Sequence, residues 1–161
     1  SLLLKNNKGQ FSPIWPDKSH LLVSGDAKAL TISDLNDDGL PDFHVSVNAG
    51  RAMAFEAKPE QTNADQFLCL QLKGSKGNID ASGARVSLRG ESMPTITQQV
   101  SSGGGYLSQS SPRLFFPVGS LKGDALKALE VLVHWPSGKQ STTKVEDLKK
   151  RDGRYWIEVS P

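Results

Sequence analysis

The sequence predicts an all-β fold in two units, a small hairpin-bearing unit at the start and a larger antiparallel β-sandwich or barrel-like unit after it. Three observations carry this. Short runs rich in β-branched and apolar residues recur along the 161 residues, punctuated by Gly, Pro, Asn and Asp. No stretch of 12 or more residues keeps a clean 3.6-residue period. Charge also divides the chain: residues 1–60 hold 6 basic and 8 acidic side chains, whereas 61–161 hold 13 and 9. The polar, proline-containing stretch 58–65 coincides with that shift, so the units are assigned to residues 1–60 and 61–161.

In chain order, strands are expected at residues 2–6, 29–33, 43–48, 51–57, 66–72, 84–89, 95–101, 113–118, 129–135, 140–144 and 154–159. Helical character is confined to 124–129 and 145–151, each one or two turns long and below the length that is stable without packing. Residues 2–6 and 52–56 resemble one another about 50 residues apart, a spacing that suits propeller blades. Trp135-Pro136-Ser137-Gly138 ends an apolar run at a turn and reads as a hairpin corner with a core tryptophan.

The acidic stretch Asp34-Leu35-Asn36-Asp37-Asp38-Gly39-Leu40-Pro41-Asp42 carries the clearest chemistry. Oxygen-bearing side chains stand at positions 1, 3, 5 and 9, and glycine at position 6 allows a sharp turn. Asp34, Asn36, Asp38 and Asp42, with the carbonyl of Leu40 at position 7, form an oxygen donor set of the kind Ca²⁺ takes. Three carboxylates this close repel one another unless a cation neutralises them. Asp37 falls between the ligand positions and is expected to face solvent. An EF-hand opens the same way but needs a glutamate at position 12, where this chain has Val45, and helices on both sides. Here the flanks alternate with period two, so the ion would staple a β-hairpin and serve the structure.

Other function classes are excluded or silent. A net charge of +2, evenly spread, is no electrostatic footprint for nucleic acid. No apolar run approaches the roughly 20 residues of a membrane-spanning helix. Cys69, the single cysteine, lies in an apolar run and is expected to be buried and inert. Gly103-Gly104-Gly105 lacks the Lys-Ser or Lys-Thr of a phosphate loop and reads as a tight turn or bulge. There is no nucleophile elbow, zinc helix or dinucleotide fingerprint, and His20, His44 and His134 are scattered. Tyr106, Ser108 and Gln109, with Arg85, are side chains of the kind that line a sugar or peptide site, and they are the candidate ligand-binding residues. The absence of an initiator Met before Ser1 suits a processed protein or an excised fragment.

These residues resemble two families. The acidic strand–loop–strand unit, preceded by residues 4–11, is similar to the FG-GAP or VCBS repeat over residues 1–57. Asn78-Ile79-Asp80-Ala81-Ser82-Gly83-Ala84-Arg85-Val86, then Gly103–Gln109, then Trp135-Pro136-Ser137-Gly138, resemble the ASPIC/UnbV domain over residues 66–159. The second match departs at Phe116-Pro117-Val118-Gly119, where that family tends to have Phe-Gly-Leu-Gly. The resemblance implies a partial, calcium-carrying β-propeller blade whose remaining blades lie outside this chain, followed by the C-terminal companion domain of secreted, cartilage acidic protein-like propellers. It also implies a secreted, periplasmic or cell-surface location and a non-enzymatic module that recognises a protein or glycan partner. A carbohydrate-active hydrolase, or its accessory domain, is the alternative, since a carboxylate pair for glycoside hydrolysis is a matter of spatial separation.

Overall fold

The computed structural model describes residues 1–7, 9–58, 67–151 and 154–158. The stretch 58–65, where the unit boundary is expected, lies outside the described residues apart from Lys58.

The chain is all-β; among the described residues there are two short helices and several sheets, none of them closed. β1 (Leu3–Asn7) and β2 (Gln10–Ile14) form a two-stranded antiparallel ribbon. A four-residue helix, α1 (Pro16–Ser19), follows, with proline at its first position and His20 in the left-handed conformation at its end. β3 (Ala27–Ser33), β4 (Asp42–Val47) and β5 (Met53–Phe55) make a three-stranded antiparallel sheet. Register pairs Ser33 with Asp42, so the acidic stretch closes the β3–β4 hairpin as expected. The two look-alike segments do not take equivalent places: residues 2–6 lie largely in the ribbon, whereas 52–56 contain the edge strand of the three-stranded sheet.

The remaining strands form two four-stranded sheets that share one core. One has the order β11 (Gln140–Lys144), β10 (Glu130–His134), β7 (Arg85–Gly90), β8 (Met93–Gln99), all antiparallel. Period-two alternation puts Val86 and Leu88 of β7 opposite Val133 and Val131 of β10, all fully buried, while Arg89 and Glu130 pair outside at 2.8 Å. Pro94 is tolerated because β8 is an edge strand. The other sheet has the order β12 (Lys149–Arg151), β13 (Arg154–Glu158), β6 (Phe67–Lys73), β9 (Leu114–Pro117). Leu68, Leu70 and Leu72 of β6 and Leu114 and Phe116 of β9 meet the valines and leucines of the first sheet in a single core. That common core is the mark of a sandwich. Cys69 is buried, as the sequence predicts.

Two expectations are corrected. β13 runs parallel to β6, so the unit is not purely antiparallel. Of residues 145–151, only Val145–Asp147 are helical, as a single 3₁₀ turn that leads into β12. The run Lys149-Lys150-Arg151 sits on a sheet edge, where charges discourage pairing with another chain. β2 and α1 are additions that the sequence reading leaves as loop. Of the helical expectation at 124–129, the structure retains α2 (Gly123–Lys127).

The core is unevenly shared. Among the described residues of 1–57 only Leu40 and Val45 are buried apolar residues, while Leu2, Leu4, Phe11, Trp15, Leu22 and Leu30 are each more than half exposed. Truncating a filled core position removes contacts that nothing replaces. Phe116→Ala is therefore expected to cost about 3–5 kcal/mol in a denaturant titration. Leu4→Ala should stay within about 0.5 kcal/mol of the parent protein. Equal losses at the two sites would contradict this division of the molecule.

Candidate metal centre

The acidic loop is wound by its own side chains. Asp34 Oδ1 accepts the backbone N–H of Asp38 at 3.0 Å, and Asp34 Oδ2 accepts that of Gly39 at 3.2 Å. Asn36 Oδ1 also accepts from the Asp38 N–H, at 3.2 Å, and Asp38 Oδ1 accepts from the Leu40 N–H at 2.8 Å. The Asn36 amide donates to Asp38 Oδ2 at 3.0 Å. Such short-range bonds let the chain turn tightly without a ladder partner. Asp37 and Gly39 both take the left-handed conformation, at φ of 60° and 86°. Glycine meets that demand without strain, and an aspartate is among the few other residues that do.

Asp42 closes the loop and ties it to the sheet. Its side chain is fully buried; Oδ2 accepts the Leu35 N–H at 2.7 Å and Oδ1 the Ala57 N–H at 2.8 Å. The start of the loop and the segment that follows β5 are thereby fixed to one carboxylate.

A cation does reach this loop, and it belongs to the protein. Arg113, just before β9, places Nη1 3.0 Å from Asp34 Oδ2 and donates from the same nitrogen to the Asp34 carbonyl at 2.7 Å. Its Nη2 donates to Asp37 Oδ1 at 3.0 Å. The adjoining strap covers the free edge of β3. The Ser111 N–H donates to the Ile32 carbonyl at 2.9 Å, and the Ile32 N–H donates to Ser110 Oγ at 3.0 Å. Asp37, expected to face solvent, is half exposed yet held by the guanidinium.

Burial pushes the Asp34 carboxyl above its ordinary value of 3.8. The Arg113 charge and the Gly39 N–H pull it down, and the neighbouring Asp38 and Asp37 charges push it up again.

The donor set is oxygen only, which suits a hard divalent cation in kind. Its arrangement is closed on the protein's own donors, and among the described residues no three His, Cys, Asp or Glu side chains are gathered as a metal cluster. Gathering Asp34, Asn36, Asp38, the Leu40 carbonyl and Asp42 around an ion would bring that ion beside the Arg113 guanidinium at Asp34.

The candidate ligand residues are not assembled into one site. Tyr106 and Leu107 form the tip of a turn closed by a bridge between Gly105 and Ser108, and they are 73% and 86% exposed. A Cβ on Gly105 would lie 2.8 Å from the Ser108 carbonyl oxygen, so the tight-turn reading of the glycine run holds there. Ser108 lines a hollow of about 280 Å³ with Thr31, His44 and Ser46. Gln109 is exposed, and Arg85 is exposed at the start of β7 with no described residue bonding its side chain.

The other quoted motifs form turns. Asn78 clamps Ser82 at both ends, accepting its N–H at 2.8 Å and donating to its carbonyl at 3.0 Å. Trp135 is buried at the β10–β11 corner, and its indole N–H donates to Ser141 Oγ at 2.9 Å. Residues 74–153 match the family model described as ASPIC and UnbV. The chain carries an ASPIC/UnbV domain. A comparison with curated proteins found no match. Arg113 lies within the ASPIC/UnbV domain, so this domain supplies the charge that meets the acidic loop. Sequence reasoning misses Arg113 and Ser110, because a partner 79 residues away leaves no trace in local spacing.

A raised acid pKa means that the folded protein takes up a proton more readily than the unfolded chain. Asp34 thus favours folding most at low pH, and that contribution is lost as pH rises through the raised value. In chelator, the melting temperature of the parent protein minus that of Asp34→Asn is expected to fall as pH rises from 3.8 toward neutrality. A difference that widens with pH would refute this assignment.

Proposed function

We propose that this chain is a calcium-stabilised, non-enzymatic binding or adhesion module of the extracytoplasmic space. Its acidic hairpin is an FG-GAP/VCBS-like unit set beside the ASPIC/UnbV domain. The observation that carries the reading is the hydrogen-bond winding of the loop, with the Asp34 carboxylate accepting from Asp38 and Gly39 and oxygen groups recurring at every second residue from 34 to 38. When bound, calcium would supply the charge that this crowded set of carboxylates lacks; Asp34, Asn36, Asp38, the Leu40 carbonyl and Asp42 would hold it.

The blade reading draws support from the apolar surface of residues 1–57. Exposed apolar side chains on a short sheet with open edges are what neighbouring propeller blades cover. Binding of a partner is supported by the Tyr106–Leu107 turn, since a large aromatic and an aliphatic side chain at a loop tip form an anchor of the kind that interfaces use. The extracytoplasmic location rests on the family resemblance.

Calcium sites in extracellular modules bind at roughly 0.1–1 mM. At tenfold excess over the Kd, linkage gives about 1.4 kcal/mol, or roughly 3–6 °C in melting temperature for a protein of this size. The parent protein is expected to show that rise over chelator in a thermal melt, and Asp38→Ala to abolish it. Superimposable melts of the parent protein with millimolar calcium and with chelator would reject the ion.

On a glycan and matrix-protein array read together with a hydrolysis assay, the protein is expected to be retained without turnover, and Tyr106→Ala to weaken retention. Release of cleaved glycan would favour the hydrolase reading instead.

A further inference from the structure

We infer that the outer face of the β11-β10-β7-β8 sheet binds an acidic polysaccharide, with Arg85 and His134 seating a carboxylate or sulfate group of that chain. The inference takes up the binding role proposed above, places it on a surface other than the Tyr106 turn, and does not depend on calcium.

Register fixes what this face presents. Val86, Leu88, Val131 and Val133 turn into the core, so the residues that alternate with them turn outward. Arg85 stands opposite His134 on β10 and Gln99 on β8, and His134 stands opposite Gln140 on β11. Gln140, His134, Arg85 and Gln99 thus form one row across the sheet, about 14 Å long at the usual strand spacing. Arg85, Gln99 and Gln140 are exposed and His134 is half-buried.

Charge is matched elsewhere on this face and unmatched in this row. Further along the same strands Arg89 pairs with Glu130 at 2.8 Å, and Lys144 lies 3.6 Å from Glu146. Among the described residues no carboxylate pairs with Arg85, and no side chain bonds Arg85 or His134. A guanidinium is always charged, and setting it directly opposite an imidazole with no anion between them adds nothing to the sheet. An anion on this row reverses that. The guanidinium offers a planar fork to two oxygens, the imidazole offers a further N–H, and the flanking amides reach the polar groups beside the anion.

The rest of the face selects the class of ligand. The next outward row carries the hydroxyls of Thr142, Ser87 and Thr97, the last two 2.8 Å apart, around Leu132. The four strands contain no Phe, Tyr or Trp. The face therefore lacks the aromatic anchor that centres a protein interface and the stacking platform that single-stranded nucleic acid uses. Cation, amide and hydroxyl groups on one open sheet face match a chain in which acidic groups are set among hydroxyls.

Biolayer interferometry on the full chain tests this. Polygalacturonate and dextran sulfate are the carboxylate and sulfate arms, dextran the neutral sugar, and polyglutamate the acid without sugar. The parent protein is expected to bind at least one acidic polysaccharide, and to bind dextran and polyglutamate about tenfold more weakly or less. A hydrogen bond to a charged group is worth about tenfold in affinity, which is the loss expected for Arg85→Gln. His134→Gln is expected to lose about threefold or more. Lys28→Gln removes the same charge from β3, away from this face, and should stay within about twofold because distant exposed charges are screened. Should Arg85→Gln fail to fold, Arg85→Lys carries the test: it keeps the charge without the fork and is expected to lose about threefold. Unchanged affinity at Arg85, or equal losses at Arg85 and Lys28, overturns the site. Polyglutamate bound as tightly as the polysaccharides overturns the ligand class. Binding to none of the four polymers overturns the inference and leaves the binding-module reading standing if the glycan and matrix-protein array retains the protein; no retention there either overturns both.

Discussion

A carboxylate removed from water needs a partner, and the partner of Asp34 comes from the ASPIC/UnbV domain. The side chain of Asp34 has no solvent exposure, and the guanidinium bonded to it is itself mostly covered. Breaking such a pair from one side leaves a buried charge uncompensated, so the cost of removing either member exceeds what the pair contributes when intact. The contact is also geometric. Arg113 binds a side chain and a main-chain carbonyl of the same residue, and it reaches Asp37 with its other arm. Three bonds to one turn fix where the hairpin stands relative to the sandwich.

Around that contact the molecule is built with two different economies. The sandwich is held by apolar layers: alternating strands deliver leucines and valines from both sheets to one core. The hairpin unit has almost no core and relies on polar bonds. Asp34, Asn36, Asp38 and Asp42 each bond backbone amides, and the strap bonds the β3 edge through the Ser111 N–H and the Ser110 hydroxyl. Polar bonds of this kind specify a geometry well but each adds only about 1 kcal/mol net. The unit thus gains its position from the domain next to it and leaves its apolar side chains outward.

Much of this can be read from the chain by itself, and the parts that cannot have a common cause. Val86, Leu88, Val131 and Val133 alternate with polar neighbours, so the strands of the first sheet are legible from period alone. The hairpin around the acidic loop is legible because turn-forming residues stand between two alternating runs. β2 is obscured by Pro13, and β12 by the run Lys149-Lys150-Arg151, whose composition reads as a solvated helix end. Neither signal reveals that a ribbon partner or a returning strand waits elsewhere. The candidate site divides the same way: its nine acidic-loop residues are a local pattern, whereas Arg113 is defined only by what it touches across the fold.

The parallel pairing of β13 with β6 has a consequence for how the protein is made. β6 is buried along most of its length and stands in the middle of its sheet, between β9 and β13. Every strand from β7 to β12 is synthesised between these two partners. A ribosome thus delivers the central strand early and its last neighbour late, and for that interval an apolar edge stays unpaired. Closure of the sandwich accordingly waits for β13 and is sensitive to anything that shields or captures β6 beforehand.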